Sequence, residues 1–285
     1  MELITDLAEL RRQRPHWRGS IGLVPTMGAL HEGHATLVRR SVAENDLTVV
    51  SVFVNPTQFG PNEDFERYPR NLAKDQAMLQ ALGTDVIFAP QTTDIYPAGN
   101  SYLSFQIHQL DQVLCARSRP GHMNGVLQIV SILFHLVQPH RAYFGLKDYQ
   151  QQLLLQTLVR ELHFPLQVVP CALVREPDGL AMSSRNGFLS AQERHDALAL
   201  SQTLAQLKLR RTTWSDVQAA LAFGRKRLQT EAPMVRLDYF EILRGTDLQA
   251  PSSLAPAEYP IAFVAAWLGQ TRLIDNMPLW EYPPV

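Results

Sequence analysis

The stretch Ile21-Gly22-Leu23-Val24-Pro25-Thr26-Met27-Gly28-Ala29-Leu30-His31-Glu32-Gly33-His34 decides how this chain folds. Its apolar start predicts a buried strand, Ile21–Pro25, and the periodic segment Ala35–Glu44 predicts a helix. Between them lies a turn with glycines and two histidines. A strand, a tight turn and a helix start make an anion-binding unit. The first N–H groups of a helix lack intrahelical partners, and its dipole places partial positive charge there. Gly28 and Gly33 allow close backbone approach, and His31 and His34 can donate to phosphate oxygens, most strongly when protonated. H-x-x-H also fits half a metal site, but a helical zinc pair needs one residue more between its histidines, and Gly33 disfavours helix by about 1 kcal/mol. Taken alone, the stretch also fits two surface histidines at a turn.

Outward from this unit, strands and helices alternate. Residues 3–14 read as a short amphipathic helix. Leu47–Val54 is a near-continuous apolar run, the pattern of a strand covered on both faces. Tyr68–Leu82 reads as a helix, with Pro69 in its first turn and Gly83 as its C-terminal cap. Asp85–Ala89, Ala142–Phe144 and Leu166–Val174 read as strands, the last at an edge or with a bend because it contains Pro170. Val126–Val137 and Asp148–Leu162 read as helices. This alternation predicts an α/β fold: a Rossmann-like, doubly wound parallel sheet.

After about residue 175 the pattern changes. Ser190 with Glu193 forms a capping box opening a helix, and Trp214–Gln229 is a second helix. Val235–Leu243, Tyr259–Trp267 and Arg272–Asn276 read as strands, the last two joined by a turn at Gly269-Gln270. The expected division is 1–175 for the parallel-sheet domain and 176–285 for a smaller C-terminal α+β domain, with a hinge near 175–187.

Bulk properties exclude several classes. In 285 residues, 46% hydrophobic content is ample for a packed core, which excludes a disordered chain. A formal net charge of −1 argues against a dedicated nucleic-acid binder. Cys115 and Cys171 give no disulfide framework, which fits a reducing compartment. The opening Met1-Glu2-Leu3-Ile4-Thr5-Asp6 lacks a basic signal region, and no apolar run reaches the roughly 20 residues a bilayer span needs. The expectation is a soluble, cytoplasmic protein with no membrane partner.

Other loops carry chemistry. Asn55 and Gln58 follow the strand at 47–54, where ligands bind in open α/β sheets; their amides suit a small hydroxy acid, although a turn closed by Asn55 explains them equally well. In Gly145-Leu146-Lys147-Asp148, Asp148 fits a helix N-cap. Lys147 beside a helix N-terminus is unfavourable unless an anion is bound there. Met182-Ser183-Ser184-Arg185, flanked by Gly179 and Gly187, offers two hydroxyls and a guanidinium fork to a polyphosphate; an exposed loop is the alternative. Arg119-Pro120-Gly121-His122 adds a cation and an imidazole. Neither G-x-x-x-x-G-K-[ST] nor G-x-G-x-x-G occurs, which disfavours P-loop and dinucleotide readings.

Together these residues carry a resemblance. H-x-G-H after the first long strand, with Met-Ser-Ser-Arg, resembles the adenylate-forming nucleotidyltransferase superfamily. The fuller set is similar to the pantoate–β-alanine ligase family. It comprises Pro25–His34, Phe53-Val54-Asn55-Pro56-Thr57-Gln58-Phe59, Arg67-Tyr68-Pro69-Arg70, Ser118-Arg119-Pro120-Gly121-His122, Lys147–Gln151, Asp178–Asn186 and the C-terminal Ala265–Gly269 and Arg272–Asn276.

The resemblance implies ATP-dependent condensation of pantoate with β-alanine through an acyl adenylate, with Mg2+ accompanying ATP, in a cytoplasmic homodimer. It implies that Met27, Gly28, Ala29, Leu30, His31, Glu32, Gly33 and His34 line the ATP site. Gly145, Leu146, Lys147, Asp148, Val174, Met182, Ser183, Ser184 and Arg185 would complete it. Gln58 and Gln151 would hold pantoate, Gln58 also lying near β-alanine, with Asn55, Arg119 and His122 as further contacts. His34, His31, Lys147 and Arg185 would be the catalytic donors; metal ligands are not identified. Leu146 stands where the family commonly has Glu, Cys115-Ala116 where Glu-Gly is more common, and Met123 where Phe is frequent. Two other readings compete: a nucleotidyltransferase that joins no amine, and a non-catalytic metal or nucleotide sensor.

Overall fold

The computed structural model describes residues 1–281 except 62, 98, 100 and 101. Its strands are β1 Glu2–Ile4, β2 Ile21–Thr26, β3 Leu47–Val52, β4 Val86–Phe88, β5 Arg141–Gly145, β6 Gln167–Cys171, β7 Val235–Arg244, β8 Pro260–Leu268 and β9 Thr271–Pro278. Its helices are α1 Leu7–Gln13, α2 Glu32–Glu44, α3 Leu72–Ala81, α4 Thr92–Ile95, α5 Leu114–Ser118, α6 His122–Val137, α7 Tyr149–Glu161, α8 Ala191–Leu209 and α9 Val217–Glu231. The chain divides into a larger unit, Met1–Leu146 with Gln150–Ala172, and a smaller one, Lys147–Tyr149 with Leu173–Val285.

The larger unit is built on a six-stranded sheet in the order β1-β4-β3-β2-β5-β6, with every ladder parallel. Parallel strands need crossovers, and α2, α3 and α7 supply three of them. Val24, Val50, Ile87 and Tyr143 from the sheet pack with Leu37, Val38 and Leu79 from α2 and α3. β6 is an edge strand, one of the two alternatives Pro170 allowed, and still pairs Pro170 with Phe144.

Several expected boundaries moved. The helix read over 3–14 is a strand and a helix: β1 pairs Leu3 with Ile87, and Asp6 then caps α1 by accepting the Ala8 N–H at 2.5 Å and the Glu9 N–H at 3.3 Å. A three-residue strand is too short to show a period. α3 begins at Leu72, leaving Pro69 outside, because Asn71 caps it by accepting the Lys74 N–H at 3.0 Å; Gly83 follows with φ +83°. α6 begins at His122, ahead of Val126, because Gly121 takes a left-handed conformation immediately before it.

In the smaller unit, β7, β8 and β9 form an antiparallel sheet. Leu268 pairs with Thr271 across the Gly269-Gln270 turn. One face of the sheet, with Phe240, Ile242, Val264 and Ala266, packs against Leu200, Leu204 and Leu207 of α8 and Leu221 and Leu228 of α9. Ser190 and Glu193 form the expected capping box of α8. Among the described residues no helix is long and apolar enough to cross a membrane.

Candidate active site

In the larger unit the chain leaves β2 toward β3 and β4, then resumes on the opposite side of β2 with β5 and β6. The order therefore reverses between β2 and β5, which pair at Gly22–Arg141 and Leu23–Ala142. Open α/β sheets bind ligands at the carboxyl ends of strands beside such a switch point. The loops there are Met27–His31 after β2 and Leu146 after β5, with Asn55–Gln58 after the neighbouring β3.

A buried carboxylate shapes the first loop. Asp75 on α3 accepts the N–H groups of Ala29 at 3.0 Å and Leu30 at 2.8 Å. Thr26 donates its hydroxyl to the Ser51 carbonyl at 2.7 Å and accepts the Gly28 N–H at 3.2 Å. Gly28 has φ +79°, and a Cβ there would lie 2.9 Å from Asp75 Oδ2, so this position excludes a side chain on two counts. α2 starts at Glu32, earlier than expected, with His31 at its N-cap and His34 closing a capping box. His34 Nδ1 accepts the His31 N–H at 3.4 Å, which leaves the ring proton on Nε2. A neutral ring in this tautomer can donate through Nε2. The two imidazoles lie 4.1 Å apart between centroids.

A second cluster surrounds Gln58. Asn55 Nδ2 donates to the Gly125 carbonyl at 3.1 Å, and a carbonyl can only accept. The same Nδ2 donates to Gln58 Oε1 at 3.1 Å. Gln58 Nε2 is thereby turned the other way, toward Met27 Sδ at 3.0 Å. Asn55 Oδ1 accepts from the Tyr96 hydroxyl at 2.8 Å and the Thr57 hydroxyl at 3.1 Å; burial pushes the Tyr96 hydroxyl up in pKa, keeping it a donor. Gly125 permits this approach of α6: a Cβ there would lie 2.4 Å from the Thr57 carbonyl oxygen.

The Gln58 main chain is also held. His122 Nδ1 donates to the Gln58 carbonyl at 2.8 Å, as does Arg119 at 3.4 Å. Arg119 forks onto Glu63 at 2.7 and 2.5 Å. Burial alone would raise the Glu63 carboxyl; the Arg119 hydrogen bond and charge outweigh it and hold it below its usual range. Gln151 is half-buried in the first turn of α7, while its neighbour Gln150 is tied to the main chain of Leu110, Val113 and Ala116.

The smaller unit carries the remaining candidates. Lys147 Nζ lies 3.6 Å from Asp148 Oδ2, and the Lys147 carbonyl accepts from Asn276 Nδ2 at 2.9 Å. Val174 meets Met182 through the Met182 N–H, at 3.0 Å. A turn closed at Gly179, φ +95°, brings Arg175 opposite Ala181. Ser183 caps the following 3-10 turn by accepting the Arg185 N–H at 3.2 Å. Asn186, buried, donates to Glu176 at 2.5 Å and to the Ala181 carbonyl at 3.0 Å.

Within the larger unit, then, Met27–His34, Asn55, Gln58, Arg119 and His122 form two connected clusters. Within the smaller, Val174 joins Met182–Arg185. Sequence reasoning assigned no part to Asp75, Tyr96, Glu63, Arg175, Asp275 or Asn276. Only the last two carried a signal, as part of the Arg272–Asn276 motif.

Fold and loop positions define an α/β protein with loops gathered at the switch point of a parallel sheet, and a separate α+β unit. A family model described as Pantoate-beta-alanine ligase matches residues 2–278, and the chain belongs to that family. It is 49% identical over 280 residues to a pantothenate synthetase of Bacteroides fragilis (strain YCH46), covering 98% of this chain and 97% of that protein. It is 48% identical over 274 residues to a bifunctional pantoate ligase/cytidylate kinase of Thermosynechococcus vestitus, 93% of this chain but 52% of that longer protein. A crystal structure of the Thermus thermophilus pantothenate synthetase superposes with a TM-score of 0.93 at 43% identity, over 99% of this chain and 100% of that one. The Francisella tularensis pantoate-β-alanine ligase, crystallised with β-γ ATP and β-alanine, gives 0.81 at 33% identity over 98% of both chains.

Proposed function

We propose that this chain condenses (R)-pantoate with β-alanine, consuming ATP and releasing AMP and pyrophosphate, through a pantoyl adenylate. The observation that carries this reading is that β2, β3 and β5 lie side by side, and the family's motifs follow all three at their carboxyl ends. A carboxylate is a poor electrophile. Transfer of AMP onto pantoate gives it a good leaving group, and the amine of β-alanine, held adjacent, then attacks the acyl carbon.

Attack on the α-phosphorus develops charge on phosphate oxygens, which fixed donors stabilise. Met27–His34, Gly145–Asp148, Val174 and Met182–Arg185 are assigned to ATP, with His31, His34, Lys147 and Arg185 as the charge-stabilising donors. Gln58 and Gln151 are assigned to pantoate, Gln58 offering its Nε2 to an oxygen of the acid. Asn55, Arg119 and His122 act on the acid through Gln58. The smaller unit serves as a lid that excludes water from the hydrolysable adenylate.

Among the described residues no group of three or more His, Cys, Asp or Glu side chains is placed to hold a metal ion. Magnesium held through phosphates needs few protein ligands, so Mg2+ is assigned to the nucleotide, where it neutralises triphosphate charge. A cytoplasmic homodimer completes the reading.

The test is pantoate-dependent ATP–pyrophosphate exchange without β-alanine. Exchange is expected, with Lys147→Ala and His34→Ala each lowering it by about 10²–10³ while circular dichroism is unchanged. No exchange in the folded wild type would end the adenylate reading; near-normal exchange in both variants would end the site assignment.

A further inference from the structure

Asn276 on β9 lies opposite Phe263 on β8, so their side chains share one face of the small sheet. The segment Lys147–Tyr149 lies against that face. The Tyr149 ring meets Phe263 edge-on with centroids 5.6 Å apart. Its hydroxyl donates to the Gly245 carbonyl at 2.9 Å, and Asn276 Nδ2 donates to the Lys147 carbonyl at 2.9 Å. These three residues group with the smaller unit, although the chain on either side of them belongs to the larger.

The strand beneath Asn276 is itself fixed. Asp275 forks with Arg175 at 2.7 and 3.0 Å and accepts the Asn276 N–H at 2.7 Å. An amide that is 6% exposed is costly to bury unless bonded. The carbonyl it captures belongs to a residue with a long, flexible cationic side chain, whose reach depends on where its main chain is held.

We propose that Asn276 is a positioning residue for Lys147: anchored on the small sheet, its amide grips the lysine's carbonyl and so fixes where the ammonium meets phosphate. This rests on the assignment of Lys147 to ATP. Lys147 and Arg185 belong to the same unit. A displacement of about 1 Å in such a group costs up to about 10²-fold in rate.

The test compares Asn276→Ala in the wild-type and Lys147→Ala backgrounds by pantoate-dependent ATP–pyrophosphate exchange. Asn276→Ala is expected to lower the exchange rate by about ten- to a hundredfold. The pantoate KM should stay within about twofold, and the Lys147→Ala background should lose less than about twofold. Equal losses in both backgrounds, or an undiminished rate in the wild-type background, would overturn the positioning role. Lys147→Ala alone with near-normal exchange would overturn the assignment on which it rests. Should the alanine variant not fold, Asn276→Ser keeps a donor on a shorter arm and is judged by the same comparisons.

Discussion

The Asp75 carboxylate accepts the Leu30 N–H at 2.8 Å across 45 residues of sequence, and its other oxygen takes the N–H of Ala29. One buried side chain on α3 thus folds the loop that precedes the two histidines. Asp75→Asn keeps the shape but has a single acceptor oxygen, which leaves one buried N–H unmet at a cost of about 1–3 kcal/mol. The expected outcome is a stability loss of that size in urea unfolding, with the KM for ATP raised and that for pantoate unchanged. An unchanged ATP KM in the destabilised variant would reduce Asp75 to a purely structural role.

This contact marks the boundary of what sequence discloses. The strand–turn–helix at 21–44 was legible because local periodicity and glycine placement dictate it. The parallel sheet followed from alternation, and the small antiparallel sheet from its turn at Gly269-Gln270. β1 was not legible, since three residues show no period. Asp75 and Arg175 gave no signal: an acid on a helix and an arginine in a loop look like solvated charge until folding brings distant partners to them. The loops of the site could be read locally, whereas the residues that hold those loops act across tens of residues.

Glu63 gives a pH dependence. Its pKa is depressed from 4.5 in the fold, where Arg119 outweighs burial. A carboxyl with a depressed native pKa adds stability that is fully present above its unfolded value and is lost as pH falls through the native one. Glu63→Gln is therefore expected to cost about 2 kcal/mol at pH 7, with the gap to wild type closing below pH 4.5. Urea midpoints of both proteins across pH 3–7 (roughly the titration span of a carboxyl) check this; a gap independent of pH would show that the pair's charge contributes nothing.

Asn55 tests the polarity of the proposed acid subsite. Asn55→Asp preserves shape but sets a carboxylate against the Gly125 carbonyl and Gln58 Oε1, both of which Asn55 now meets as a donor. Gln58 is expected to turn its Nε2 toward the new carboxylate and offer an oxygen instead. The kcat/KM for pantoate should fall roughly tenfold to a hundredfold, with the KM for ATP unchanged. Equal loss for both substrates would point to general misfolding rather than to a reversed amide.

In the smaller unit, Arg175 and Asp275 form a forked ion pair with the carboxylate almost wholly buried. Burial pushes the Asp275 carboxyl up in pKa, while the Arg175 hydrogen bonds and charge oppose the rise. Arg175→Ala removes the opposing partner, and a buried charge left unpaired typically costs 3–5 kcal/mol. In the variant the native pKa lies further above the unfolded value, so the fold binds more protons than the unfolded chain and loses stability as pH rises. The expected result is a deficit against wild type that is largest at neutral pH and shrinks as the pH is lowered. Arg175→Ala with Asp275→Asn, which removes the charge itself, should recover most of the loss at pH 7. A double variant as unstable there as the single one would mean that Arg175 stabilises through its packing and its bond to the Gly179 carbonyl, not through the pair.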